Sequence, residues 1–180
     1  MSELEIERVF LLDRLPELPA SLEGSGELWH IDQGYFPESA TSSGEPGDPV
    51  LEGRIRRIQR PDGSCRYVHT IKSGLGLVRE ETERALTPEE FEGLWPRTEG
   101  RRLRKTRLRI EVEGQLWELD RFLDLKRELV LAEAELPSED TPLVPPPWIK
   151  ERILREVTED PRFRNYQLAR DGGLIELPDW

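Results

Sequence analysis

A single cysteine, Cys65, excludes a disulfide framework within the chain and suits a reducing compartment. Only two histidines, His30 and His69, accompany it, which is too few soft ligands for a structural zinc site. No apolar run approaches the ~20 residues of a membrane-spanning helix. The segment Met1–Phe10 carries acids where a secretory signal would carry bases, so the expected location is cytoplasmic, with no membrane partner. Positive charge is the minority sign: 26 Lys and Arg stand against 37 Asp and Glu, a formal net charge of −11. That balance argues against binding to extended nucleic acid or anionic membranes, although a small polyanion in a locally basic interior remains compatible with it.

What is present is 36% hydrophobic residues gathered in runs and 35% charged residues, in a chain of 180 that fits one domain spanning 1–180. Strands are expected at Leu4–Leu12, Trp29–Phe36, Val50–Gln59, Arg66–Lys72, Leu77–Arg84, Arg101–Val112, Gln115–Phe122 and Glu128–Leu136. Tight turns join several of them: Arg60-Pro61-Asp62-Gly63-Ser64, Ser73-Gly74-Leu75-Gly76 and Glu113-Gly114. Asp13–Gly26 reads as a loop or a short helix at Leu15–Leu22. Residues 37–49, almost without apolar side chains, read as a mobile surface loop. Thr87-Pro88-Glu89-Glu90 has the form of a capping box. Within a C-terminal segment and tail, 145–180, Trp148–Val157 has helical spacing and Arg162–Arg170 is a further candidate helix. Hairpin-linked strands with few helices predict an α+β, mainly β, closed antiparallel barrel with peripheral helices.

The strands carry charge with a period of two. Glu5 and Glu7 begin it, and Arg54 and Arg56, Arg79, Glu81 and Glu83, Lys105 and Arg107, Glu118 and Asp120, and Glu133 and Glu135 repeat it. Alternate strand residues share a face. On one strand this is the pattern of a solvated sheet face. On six segments it predicts a closed barrel lined by charge, with Ile6, Ile55, Leu108, Leu119 and Ala134 facing outward against helices or a neighbouring subunit. Arginine and lysine suit phosphate oxygens, and carboxylates suit a hard metal ion that accompanies phosphate. Arg8 should point away from that interior.

The ordered motifs resemble those of the CYTH domains, the triphosphate tunnel metalloenzymes. Glu5-Ile6-Glu7-Arg8 is similar to the family's opening Glu-x-Glu-x-Lys signature. Gln33-Gly34-Tyr35, Thr70-Ile71-Lys72-Ser73 and Leu94-Trp95-Pro96 also resemble family segments, as do Lys105-Thr106-Arg107, Pro145-Pro146-Pro147-Trp148 and Val157-Thr158-Glu159-Asp160. The resemblance implies an eight-stranded tunnel barrel and hydrolysis of inorganic triphosphate or a related phosphate chain. Magnesium or manganese is the implied cofactor. It assigns phosphate binding to Arg54, Arg56, Lys72, Arg79, Lys105 and Arg107. The implied metal side is Glu5, Glu7, Asp120, Glu133 and Glu135, with Glu81, Glu83 and Glu118 as further tunnel acids; Tyr35 and Glu7 are the implied catalytic pair. Relatives often form homodimers, although this chain's own helices can equally cover an outward apolar face.

One departure bears on activity: Val9 stands where the family pattern has a lysine implicated, with a tyrosine matched by Tyr35, in handling the attacking water. The expectation is therefore weakened hydrolysis, with non-catalytic binding of triphosphate, polyphosphate or nucleotide as the second reading. Adenylyl cyclisation, also found in the family, ranks last because no base-recognition feature is evident.

Overall fold

The computed structural model describes residues 3–38, 52–73 and 77–170. The expected loop at 37–49 therefore lies largely outside the described residues, as do the Gly74-Leu75-Gly76 turn and the tail from 171. Eight antiparallel strands close a barrel: β1 (Glu3–Leu12), β2 (Glu27–Tyr35), β3 (Arg54–Gln59), β4 (Cys65–Ser73), β5 (Val78–Leu86), β6 (Arg102–Val112), β7 (Gln115–Phe122) and β8 (Leu129–Glu135). Their order is β5-β4-β3-β2-β6-β7-β8-β1, and pairing of β5 with β1 closes the ring. A ninth, short strand, β9 (Ile153–Glu156), pairs with β1 at Phe10–Leu12, beyond the stretch of β1 that β5 occupies.

Local chemistry explains several joints. The β6–β7 turn needs positive φ at two successive residues, and Glu113 (φ 51°) and Gly114 (φ 78°) supply it. Helix α1 (Pro88–Leu94) begins with a full capping box: Glu90 N–H donates to Thr87 Oγ1, and Thr87 N–H donates to the Glu90 carboxylate.

The outward apolar residues are covered by the chain itself. Ile55 is fully buried with Phe36, Leu86 and Phe91 of α1. Leu119 and Ala134 lie with Trp117 and Phe10 under Ile149 and Trp148 of α2 (Pro147–Lys150) and under Leu15, Leu18 and Leu22. Burial of each such Leu or Ile stabilises by about 1.5–3 kcal/mol. Ile6 and Leu108 are only half-buried. Arg8 points outward, as its register requires, and its guanidinium meets both Glu156 oxygens at 2.9 and 2.6 Å.

The C-terminal segment corrects the sequence reading. Trp148–Val157 is not one helix. A single helical turn, α2, gives way to β9, because the free edge of β1 offers backbone partners that an isolated amphipathic turn lacks. Arg162–Arg170 likewise divides into a 3-10 turn at Pro161–Phe163 and helix α3 (Asn165–Arg170), and within Leu15–Leu22 only Ala20–Leu22 is helical, as a 3-10 turn.

After β9 the chain crosses one end of the barrel. Val157 N–H donates to the Val9 carbonyl, Val9 N–H donates to Thr158 Oγ1, and α3 packs against β2 and β6. Phe163, Leu168 and Ala169 there meet Leu11, Leu103, Phe122, Leu129 and Leu131, which point inward, so an apolar cluster fills that end.

Candidate active site

Above the apolar cluster the barrel holds a cavity of about 750 Å³, walled by charged residues of the inward face. Its volume lies in the ~300–1,000 Å³ range of small-molecule sites. Glu5, Glu7, Arg54, Arg56, Lys72, Arg79, Glu81, Glu83, Arg107, Glu118, Glu133 and Glu135 all line it, with Tyr35 and Val9. The alternation seen in sequence thus converges on one space because strand registers bring those positions level: Glu5 opposite Arg79, Lys72 opposite Glu81, Tyr35 opposite Arg54, and Glu118 opposite Glu133.

Ion pairs organise the wall. Lys72 Nζ lies 2.6 Å from Glu5 and 3.0 Å from Glu81, Arg79 pairs with Glu7, and Arg56 donates to Glu83 at 2.9 Å and to Thr70 at 3.1 Å. Arg107 donates to Asp120 and to Glu133 (2.9 Å), and pairs with Glu118. These pairs are less exposed to solvent screening than surface ones.

Cations nevertheless crowd one region. Burial, then the charges of Arg54 and Arg107, push the Arg56 guanidinium down to about 9. Burial opposes the charge on Arg54 too, but the Tyr35 hydroxyl, which accepts a hydrogen bond from it, and Glu81 hold it above its ordinary value. Arg54 Nε and Arg56 Nε are buried without hydrogen-bond partners among the described residues. Tyr35 is fixed from behind, where the fully buried Gln33 donates from Nε2 to its hydroxyl at 2.8 Å. The backbone between them approaches the turn Trp95–Thr98 so closely that a methyl group on Gly34 would collide with Thr98.

Carboxylates crowd another region. Burial and the neighbouring Glu5, Glu118 and Glu81 raise the affinity of Glu135 for its proton. A hard cation among these oxygens would offset that repulsion, so the donor chemistry fits magnesium or manganese. Among the described residues no three His, Cys, Asp or Glu groups already stand together at metal-binding distances, and Glu5 and Glu7 are engaged by Lys72 and Arg79.

Two expected site residues stand apart. Lys105 and Asp120 face inward but do not line the cavity; they lie fully buried at the level of Phe122 and Leu131. Lys105 donates to Asp120 at 2.6 Å and to Asn165 at 3.1 Å. Burial pushes the Lys105 ammonium down to about 8 against the pull of Asp120. Burial opposes the Asp120 charge as well, yet Arg107 and Lys105 hold its carboxyl well below the usual range. Conversely, Arg109, Arg60 and Arg66 line the cavity without having been singled out from the sequence, and so does Arg164, which the sequence allows to reach a tunnel mouth but reads as a solvated residue. For Arg109 the beat of Lys105 and Arg107 was the available signal.

Fold and lumen together define a charged-tunnel barrel. No family model matches the chain. A protein of Nitrosomonas europaea named inorganic triphosphatase is 39% identical over 170 residues, covering 92% of this chain and 96% of the relative. A second relative named inorganic triphosphatase, from Acetivibrio thermocellus, is 42% identical over 69 residues, 38% of this chain and 42% of its own length. A crystal structure of an inorganic triphosphatase superposes with a TM-score of 0.57 at 35% identity, covering 92% of this chain and 94% of that one. The chain belongs to the triphosphate tunnel, or CYTH, family, alongside these bacterial inorganic triphosphatases.

Proposed function

We propose that this chain hydrolyses inorganic triphosphate in its lumen. The observation that carries the reading is the convergence of Arg54, Arg56 and Arg107, whose charges disfavour one another until an anion lies between them. A linear phosphate chain supplies closely spaced oxygens for bidentate guanidinium contacts. The identity to a relative named inorganic triphosphatase supports the same substrate.

Arg54, Arg56 and Arg107 would bind phosphate oxygens, and Lys72 and Arg79 would join them by turning from Glu5, Glu81 and Glu7. Water attacks a terminal phosphorus, the phosphoanhydride P–O bond breaks, and pyrophosphate and phosphate leave. The water's proton would pass to a lumen carboxylate, the role this reading gives Glu7 once Arg79 turns to the substrate, and Tyr35, held by Gln33 and Arg54, would orient the oxygens around the reacting centre. Such transfer needs positioning and charge stabilisation rather than a nucleophilic side chain. Glu5, Glu7, Glu133 and Glu135 would hold magnesium or manganese, which polarises phosphate oxygens and activates water when bound. Asp120 is reassigned from metal ligand to orienter of Arg107, and Lys105 to its buried counter-charge, because neither reaches the cavity wall. Glu81, Glu83 and Glu118 hold the cations in place.

The reading places a single domain over 1–180 and the activity in the cytoplasm, which the unpaired, exposed Cys65 supports. It does not require a homodimer, since the outward apolar residues Leu119, Ala134 and Ile55 are already covered. Val9, half-buried and opposite Glu133, supports the second reading of binding with little turnover. Phosphate release from tripolyphosphate, measured beside calorimetric binding, separates the two. Arg56→Ala should weaken binding roughly 10- to 100-fold in either case, and undiminished binding in that variant would overturn both.

A further inference from the structure

The strand walls do not supply the only lumen cation. Arg164 lies between the Pro161–Phe163 turn and α3, on the segment that crosses the end of the barrel, and it lines the cavity. Its neighbour Arg162 is locked onto Asp160 at 2.9 and 2.6 Å, and Arg155 reaches the same carboxylate at 3.5 Å. Arg164 has neither a carboxylate partner nor a side-chain hydrogen bond among the described residues, although it is only partly exposed. Its backbone is anchored: Arg164 N–H donates to the Pro161 carbonyl, and its own carbonyl accepts from Leu168 N–H.

The surroundings give that charge a purpose. At this end Val9, Val157 and Phe163 face the cavity, Tyr35 meets Tyr166 edge-on at 5.3 Å, and the carboxylates nearby are already engaged, Asp160 by Arg162 and Arg155 and Glu133 by Arg107. Val9, Tyr35, Phe163 and Tyr166 belong to one packed cluster, so the segment bearing Arg164 stands directly against the Tyr35 end of the lumen. A phosphate chain held along Arg54, Arg56 and Arg107 has its remaining charge to offset there.

We propose that Arg164 is a substrate-contacting residue that binds the terminal phosphate of the chain at the Tyr35 end, and so favours tripolyphosphate over shorter phosphates. The proposal rests on the triphosphatase reading and deepens it. An anchored guanidinium with no carboxylate partner among the described residues gives a charge-assisted contact without first breaking an ion pair there, unlike Lys72 or Arg79.

The test is calorimetric binding of tripolyphosphate and pyrophosphate to the full chain, with magnesium, for wild type, Arg164→Ala and Arg164→Lys, beside melting temperatures. Arg164→Ala should weaken tripolyphosphate roughly 10- to 100-fold, leave pyrophosphate within about threefold, and melt as wild type does, while Arg164→Lys recovers part of the loss. Unchanged tripolyphosphate affinity in Arg164→Ala, or equal losses for both ligands, overturns the proposal while leaving the triphosphatase reading intact. Failure of the wild type to bind tripolyphosphate overturns that reading itself, and this proposal with it.

Discussion

Arg107 donates from Nε and Nη2 to the two carboxylate oxygens of Asp120, at 2.6 and 2.7 Å, across the β6–β7 ladder. The bidentate grip fixes the plane of the guanidinium before any ligand arrives. Lys105 lies on the same carboxylate at 2.6 Å, so two buried cations share one anion. Arg107 keeps its charge despite burial because Asp120, Glu118 and Glu133 surround it.

Removing that anion should destabilise the fold and not merely inactivate it. Asp120→Ala leaves Arg107 and Lys105 buried with their shared partner gone, and is expected to cost roughly 3–5 kcal/mol. Urea unfolding measures it, and a loss under about 1 kcal/mol would show that the pair is not dry.

Arg56 should behave in the opposite way. The residue is 9% exposed and its side chain sits beside Arg54 and Arg107, so its absence relieves repulsion in the free protein. Arg56→Ala is expected to weaken tripolyphosphate binding roughly 10- to 100-fold while changing ligand-free stability by less than about 1 kcal/mol. Calorimetry and thermal melting together check both halves.

Lys105 makes stability depend on alkaline pH. Its folded value, about 8, lies below the ordinary 10.5, so the unfolded chain binds more protons between the two. The cost of keeping the buried ammonium charged is fully present below pH 8 and is relieved as pH rises from 8 toward 10.5. Unfolding free energies of wild type and Lys105→Met should therefore converge or diverge with pH across that window, with the wild type rising more steeply; parallel curves would contradict the assignment.

Position 9 tests the chemistry. Val9 faces Glu133 on the cavity wall. Val9→Lys places a cation there, and is expected to raise turnover of tripolyphosphate roughly tenfold or more with a smaller change in KM. Steady-state kinetics with magnesium and with manganese read the split, and an unchanged kcat would remove Val9 from the account.

Much of this was legible because two periods rarely mislead together. The β6–β7 hairpin carries both an alternating face and the Glu113-Gly114 turn, and α1 carries a complete capping box, so local chemistry and long-range pairing agree. Alternation assigns a face but not a height along the barrel. Lys105 and Asp120 share the beat of Arg107 and Glu118, yet the apolar neighbours Phe122 and Leu131 place them where the lumen is filled. β9 escaped because four residues show no readable period, and the free edge of β1 that fixes them is a tertiary fact. Arg164 reads from the sequence as a solvated residue that could at most reach a tunnel mouth, because its place follows from a segment crossing the barrel and not from any repeat.

The most direct single measurement is phosphate release from tripolyphosphate by the purified chain, with magnesium and separately with manganese, against a metal-free control. Metal-dependent release of phosphate with pyrophosphate as co-product, lost in Arg56→Ala, is the expected result. Tight binding of tripolyphosphate with no phosphate released under either metal would contradict hydrolysis and leave the lumen as a binding site alone.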